Sequence, residues 1–396
     1  MIHNADTVSS KTNDAAARVG GNSVALKTVL VAGSYAESLI NFRGPLIADM
    51  IAAGHRVIAA APDISDAVRE GLARLGAEAV ETPLARTGLN PVADLAYLRS
   101  LSALIREKRP DIVLTYTIKP NIWGAFAAYG QGVESVAMVT GLGYAFTGKG
   151  GMVQQIVRHV ATFLYRQASN RNRLVVFQNP DDCRDFIAAG CLGDVAKVRM
   201  VNGSGVDTSY YKPAPLPEHP VFLMISRLLG NKGVREYGAA AVAVKKAHPA
   251  ARFLLAGFMD EGPDGIKQRE LDAWIEGGVE YLGPLADVRP SIAEASVYVL
   301  PSYREGTPRS VLEAMSMGRA IITSDAPGCR ETTVNGHNGY LVPVKDVGAL
   351  ATRMSELIGN VDLRAAMGQK SRKIAMEKYD VHAVNQTLMQ HLGLAA

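Results

Sequence analysis

The strongest constraint on this chain is a rhythm that occurs twice. From residue 28, apolar runs of strand length ("TVLVAG", "RVIAAAP", "AEAVET", "DIVLTY") alternate with amphipathic helical patterns at 45–53 and 67–75 and in "ADLAYLRSLSALIREK". Continuous apolar strands need cover on both faces, and the helices between them supply it, which indicates a parallel sheet. The rhythm restarts at "VFLMIS" (221–226) and runs through helical patterns at 233–247, 265–276 and 287–294, interleaved with "RFLLAG", "VEYLG" and "SVYVLPS". Between the two halves lies "KPAPLPEHP" (212–220), with four prolines in nine residues. That composition suits a semi-rigid connector and excludes a helix or central strand. A length of 396 residues also suits two domains. The expected fold class is α/β, with two doubly wound domains at 28–213 and 217–378. A loose tail is expected over 1–27, and a helix within 379–396 is expected to cross back to the first domain. Open sheets of this kind bind ligands beyond the C-terminal ends of their strands, so the expected site lies between the domains.

Composition removes several function classes. With 48% hydrophobic and 20% charged residues the chain is of globular type. No apolar run approaches the length of a membrane-spanning helix, and the N-terminus lacks the apolar core of a signal peptide, which predicts a cytoplasmic location. Cys183, Cys191 and Cys329 fit no C-x-x-C spacing and read as reduced packing residues. A net charge of +4 is too small to imply a nucleic-acid partner, so its distribution matters more than its total.

Two segments carry the chemistry. In "REGTPRSVLEAMSMGRAIITSD" (304–325), Thr307 is the expected N-cap, Pro308 the first helical residue and Gly318 the stop, giving a helix over 308–317. Glu305 then precedes the helix. Glu313 lies inside it, rotated by roughly 140° and about 7.5 Å along the axis from Pro308. Carboxylates so placed suit separate hydroxyl groups of an extended ligand better than one reacting bond. Between them the start of the helix, Gly306, Thr307, Pro308, Arg309 and Ser310, offers backbone N–H groups to an anion. In the second segment, "MISRLLGNKGVREYGAAA", a strand delivers Arg227, Gly230, Asn231, Lys232 and Gly233 to a turn before a helix. A charge-assisted hydrogen bond is worth about 1.5–3 kcal/mol against about 0.3–1 from a helix end, so Arg227 and Lys232 should dominate the affinity for a diphosphate.

"SRLLGNKG", "VYVLPSYREGTPRSVLEAMSMGRAIITSD", "GCRETTVNGHNGYLVP" and "VNGSGVDTSYYKP" together resemble the family 4 glycosyltransferases of the GT-B type, with their E-x7-E signature. The resemblance covers nearly the whole chain after residue 28. It implies two Rossmann-like domains facing a central cleft, a nucleotide-sugar donor held by the second, retention of anomeric configuration and no metal. It assigns Arg227 and Lys232 to the donor diphosphate, Glu305 to the transferred sugar and Glu313 to the ribose, with Glu305, Arg227 and Lys232 as the catalytic set. Lack of a convincing D-x-D segment agrees with basic residues and helix ends carrying the leaving diphosphate.

"TYTIKPNIWGAFAA" and "VTGLGYAFTGKGG" resemble a narrower group of bacterial hexosyltransferases, which add N-acetylgalactosamine or a related sugar to a polyprenyl-diphosphate-linked acceptor. Many family members carry a first-domain histidine near the donor sugar; the strand end here reads Thr115, Tyr116, Thr117, Ile118, Lys119, so no catalytic histidine carries over. Candidates for the acceptor side are Gly33, Lys119, Asn121, Gly141, Gly143 and Tyr144.

Lys149, Arg158, Arg166, Arg171 and Arg173 fall in an acid-free stretch, beside Met152, Val153, Ile156, Val157, Val160, Phe163 and Leu164 at helical spacing. A basic amphipathic helix of this kind suits an anionic membrane surface and a lipid-linked acceptor. The main expectation is therefore a peripherally attached transferase using a UDP-sugar. The sequence leaves open a nucleotide-sugar epimerase of the same architecture and a noncatalytic nucleotide-sugar-binding subunit.

Overall fold

The computed structural model describes residues 25–85, 90–142 and 152–395, so nearly all of the expected tail, with Gly143, Tyr144 and Lys149, lies outside the described residues. The first sheet comprises β1 (Thr28–Ala32), β2 (Arg56–Ala61), β3 (Glu78–Glu81), β4 (Ile112–Tyr116), β5 (Glu134–Val139), β6 (Leu174–Phe177) and β7 (Val198–Met200). The second comprises β8 (Val221–Ile225), β9 (Arg252–Ala256), β10 (Val279–Gly283), β11 (Val297–Leu300), β12 (Ala320–Ser324) and β13 (Gly339–Val342). All named strand pairs are parallel, in the orders β3-β2-β1-β4-β5-β6-β7 and β10-β9-β8-β11-β12-β13. Each order reverses at its first strand, between β1 and β4 and between β8 and β11, which opens a crevice at the strand ends.

The helices of the first unit are α1 (Glu37–Asn41), α2 (Gly44–Ala52), α3 (Asp66–Leu75), α4 (Pro91–Lys108), α5 (Ile118–Gly130), α6 (Met152–Arg171) and α7 (Pro180–Ala188). Those of the second are α8 (Val234–Ala247), α9 (Gln268–Glu276), α10 (Arg289–Glu294), α11 (Arg309–Ser316), α12 (Val347–Ile358) and α13 (Val361–Lys378), followed by α14 (Val381–Leu392). Helix α9 begins three residues later than the periodicity suggests. The preceding loop turns back on the Leu228–Gly230 turn, where Gly230 N donates to Asp264 O at 2.9 Å and Ile266 N to Leu228 O at 3.0 Å.

The strands are apolar because both faces are covered. Val29 to Ala32 and Phe222 to Met224 are inaccessible to solvent. The connector is clamped to the second unit by Arg319, itself fully buried, which donates to Ala214 O at 2.9 Å and Pro215 O at 3.2 Å. Helix α14 packs on the first unit, where Val384, Leu388, Met389 and Leu392 join its core. Asp49 of α2 accepts from Asn385 at 2.7 Å and faces His382 at 2.9 Å.

Candidate active site

The turn after β8 is built by its glycines. Gly233 has a φ of 75°, and a Cβ there would lie 2.1 Å from Pro301 O, so a side chain is excluded and the turn packs on the end of β11. Asn231 O then accepts from Tyr303 N at 2.9 Å, which ties the basic turn to the loop carrying the first glutamate. The result is a contact between two of the sequence candidates: Lys232 Nζ donates to Glu305 Oε1 at 2.6 Å, with side chains only 21% and 15% exposed. Arg227 is directed elsewhere. Half-exposed, it pairs with Asp260 at 3.4 Å.

The second glutamate has its own partners. Helix α11 starts at Arg309 with Pro308 as its N-cap, one residue later than expected, and no side chain caps it. Thr307 is not the cap because its hydroxyl is drawn to Gln178 O of the first unit, at 3.2 Å, and to Gly306 O, at 2.9 Å. Pro308 has no N–H to offer, so the donors of this helix start are those of its neighbours. Glu313, 7% exposed, accepts from the Tyr211 hydroxyl and from Arg309 Nε, both at 2.9 Å. Burial pushes its pKa up, and the Arg309 charge and the Tyr211 hydrogen bond oppose that push. The carboxylates thus have different neighbours, which fits two separate grips and not an acid/base couple on one bond.

The first unit reaches across to this loop. Asn179 caps α7 through its Oδ1, which accepts from Asp182 N at 2.7 Å, while its Nδ2 donates to Gly306 O at 2.7 Å and Glu305 O at 3.3 Å. Arg304 donates to the buried Asp182 at 2.9 Å and to Asp185 at 2.6 Å. Arg330 bridges to Asp181 at 2.5 Å. Gly306 is required by proximity alone: a Cβ there would lie 2.2 Å from Thr140 O. Desolvation raises the Asp182 pKa, and its bond to Arg304 opposes the rise.

A sequence profile described as Glycosyl transferases group 1 matches residues 219–360, and one described as Glycosyl transferase 4-like domain matches residues 44–202. Both halves of the chain thus match glycosyltransferase domains, a 4-like domain followed by a group 1 domain. This glycosyltransferase is 27% identical over 368 residues to the N,N'-diacetylbacillosaminyl-diphospho-undecaprenol alpha-1,3-N-acetylgalactosaminyltransferase of Campylobacter jejuni, across 89% of its own length and 95% of the relative's. It is 29% identical over 272 residues to the UDP-Gal:alpha-D-GlcNAc-diphosphoundecaprenol alpha-1,3-galactosyltransferase of Escherichia coli, covering 65% and 68%. Its fold is that of Anabaena HepE crystallised with UDP, at a TM-score of 0.75 and 21% identity over 92% of this chain and 99% of that one. The fold is GT-B and the enzyme is a hexosyltransferase.

On its first domain the glycosyltransferase distributes the acceptor-side candidates unevenly. Gly141, with a φ of 142°, comes to the loop carrying Glu305: a Cβ there would lie 3.8 Å from Gly306 N. Gly33 makes room for a side chain of its own domain, since a Cβ would lie 2.2 Å from the Tyr116 ring. Lys119 is held by Asp94 at 2.9 Å and Ala85 O at 2.8 Å. Asn121 is fully buried, accepting from Thr115 and donating to Met138 O, both at 2.8 Å, so it braces the β4–α5 turn.

The basic helix is sorted in the same way. Arg158 and Arg166 face outward on α6 beside Val160, 40% exposed, and Phe163, 60% exposed. Arg171 stacks on Phe126 and Tyr129, each at 5.2 Å, and Arg173 pairs with Glu134 at 3.3 Å, so these two serve the domain's own packing. Among the described residues no helix is long and apolar enough to cross a membrane. Sequence reasoning passed over Tyr211, Asn179 and Asp182. Tyr211 lies in the quoted "VNGSGVDTSYYKP", and "NPDD" reads as an N-cap signal; nothing local signals that it also holds Gly306.

Proposed function

We propose that this glycosyltransferase moves an N-acetylhexosamine, GalNAc in the first instance, from a UDP-sugar to a polyprenyl-diphosphate-linked glycan in cell-envelope polysaccharide assembly, with retention of anomeric configuration. The observation that carries the reading is the Lys232–Glu305 contact at 2.6 Å. It sets a cation and a carboxylate side by side at the C-terminal edge of the second sheet. Lys232, with Arg227 and the N–H groups at the start of α11, takes the charge that develops on the leaving diphosphate. Glu305 accepts from hydroxyl groups of the transferred sugar, and Glu313, with Tyr211 beside it, from those of the ribose. The printed names of the Campylobacter and Escherichia relatives support a lipid-diphosphate acceptor, and the former an N-acetylgalactosaminyl donor. HepE structures with UDP and with UDP-glucose support the nucleotide. The outward face of α6, with Arg158, Arg166, Val160 and Phe163, meets anionic lipid, at about 1 kcal/mol per basic residue near the surface.

The test is nucleotide release across a panel of UDP- and GDP-sugars, with and without a prenyl-diphosphate-linked N-acetylhexosamine, and the anomeric configuration of the product read by NMR. Release of UDP from UDP-GalNAc only with the acceptor, giving an α-linked product, is expected. Conversion of the donor without acceptor would make the protein an epimerase, and donor binding without release on any acceptor a binding subunit. Either result overturns the proposal.

A further inference from the structure

Three arginines are buried among the described residues: Arg43, Arg319 and Arg364. Arg319 gives its hydrogens to the carbonyls of Ala214 and Pro215, and Arg364 gives its own to those of Leu357 and Ile358. Arg43 differs. It is 4% exposed and no side-chain hydrogen bond or ion pair of its guanidinium occurs among the described residues, while its Nε, like those of Arg319 and Arg364, is buried without a partner. Among the described residues its favourable neighbour is the Tyr116 ring, whose centroid lies 4.9 Å from Cζ. A ring face offsets only part of what a guanidinium loses on leaving water, and the Nε–H still lacks an acceptor.

The position is as informative as the burial. Arg43 is the N-cap residue of α2, in the α1–α2 corner that follows β1, and Tyr116 ends β4. These strands flank the crevice of the first sheet. The adjacent Phe42 is exposed and lies beneath the guanidinium of Arg309 from the second domain, 5.4 Å from ring centroid to Cζ. Arg309 is the residue that holds Glu313. Burial lowers the Arg43 pKa below the ordinary guanidinium value; the Tyr116 ring opposes this and the Arg309 charge adds to it. Two cations therefore approach one another across the domain boundary, and only one has a carboxylate.

We propose that Arg43 recognises a phosphate oxyanion of a diphosphate ester bound between the domains, its forked nitrogens meeting two oxygens at once. The inference rests on the cleft being the site of transfer. The diphosphate belongs either to the nucleotide donor or to the lipid-linked acceptor, and the experiment separates the two.

Arg43→Met keeps an unbranched apolar stem of about the reach of Nε and removes the charge. Calorimetry with UDP, KM for a short-chain prenyl-diphosphoryl N-acetylhexosamine, and the Tm of the free protein are measured for the parent, Arg43→Met, Arg43→Lys and Lys232→Ala. The free Arg43→Met protein should melt at or above the parent, because a buried charge without a partner has gone. It should lose about 10- to 100-fold in UDP affinity if the donor supplies the oxyanion, or gain as much in acceptor KM if the acceptor does. Arg43→Lys should fall in between. A lower Tm with both ligand readouts within about threefold of the parent makes the residue structural and overturns the proposal. So does an Arg43→Met chain that fails to fold, if Arg43→Lys then shows parental UDP affinity and acceptor KM. A loss in Lys232→Ala without one in Arg43→Met defeats this inference alone, whereas no loss in either defeats the cleft reading as well.

Discussion

Lys232→Ala gives the sharpest test of the donor site, because the structure says what is left behind. The ammonium lies 2.6 Å from Glu305 Oε1, and the two side chains are 21% and 15% exposed. Removing it takes one charge-assisted hydrogen bond from the diphosphate, about 1.5–3 kcal/mol, which corresponds to about a 10- to 150-fold rise in the Kd for UDP. Glu305 pushes the result toward the upper end: without Lys232 its carboxylate stands unpaired, largely shielded from water, next to the incoming anion. The double variant Lys232→Ala/Glu305→Gln loses the hydrogen bond but also the repulsion. It should therefore bind UDP more tightly than Lys232→Ala alone, a departure from additivity expected of groups in contact. Calorimetry at fixed ionic strength measures all four corners of the cycle, since surface charges elsewhere respond to salt. A single-variant Kd within threefold of the parent, or a double variant no better than the single, refutes the reasoning.

Three further outcomes follow from the same geometry. Glu313 has its pKa raised by burial, so it costs stability as pH climbs from the unfolded carboxylate value through the folded one; the Tm of Glu313→Gln minus that of the parent should be larger at pH 7 than at pH 4.5, and an equal or reversed difference in a melting series counts against it. Transfer with Lys232, Arg227 and helix N–H groups carrying the leaving charge should proceed at an unchanged rate in excess EDTA, and a strict requirement for Mg²⁺ or Mn²⁺ would contradict this. Arg158→Gln/Arg166→Gln should reduce sedimentation with phosphatidylserine-containing vesicles at low salt, while Arg171→Gln, whose guanidinium is stacked within the domain, should reduce it less; equal effects would remove the outward face of α6 from the account.

What was legible in the sequence was what is encoded locally. Apolar strands and the helices between them follow from hydrophobic period, and the Arg227–Gly233 turn and the Glu305 loop could be placed at one sheet edge because both follow second-domain strands. The misplacements all come from partners distant in sequence. Thr307 has the right chemistry for an N-cap and the right place, yet Gln178 O of the other domain competes for its hydroxyl. Arg171 and Arg173 carry the same charge as Arg158 and Arg166, but Phe126, Tyr129 and Glu134 claim them. Asn121 and Lys119 lie in a segment that resembles a ligand-binding strand end, and both are saturated by neighbours of their own domain. Arg43 is the converse. "NFRGP" reads as a polar helix start at the surface, and only the packing of α1 and α2 against Tyr116 reveals a buried cation.

The same distant contacts explain how the site is completed. The loop carrying Glu305 is held from its own domain by the bonds of Glu305 N to Pro327 O and Tyr303 N to Asn231 O. From the other it is held by Asn179, Asp182 and, through Arg330, Asp181, all in the first turn of one helix. Asn179 cannot leave Gly306 without disturbing the cap of α7, because one amide serves both. Gly306 in turn packs backbone to backbone on Thr140, with no space for slack. A rotation that opens the cleft must therefore break the bonds that fix the loop, and the carboxylate loses its position as the domains part. On the proposed function, closure and assembly of the sugar grip are then one event, so ligand contacts made by the first domain, far from the reacting bond, help to set the geometry at Glu305.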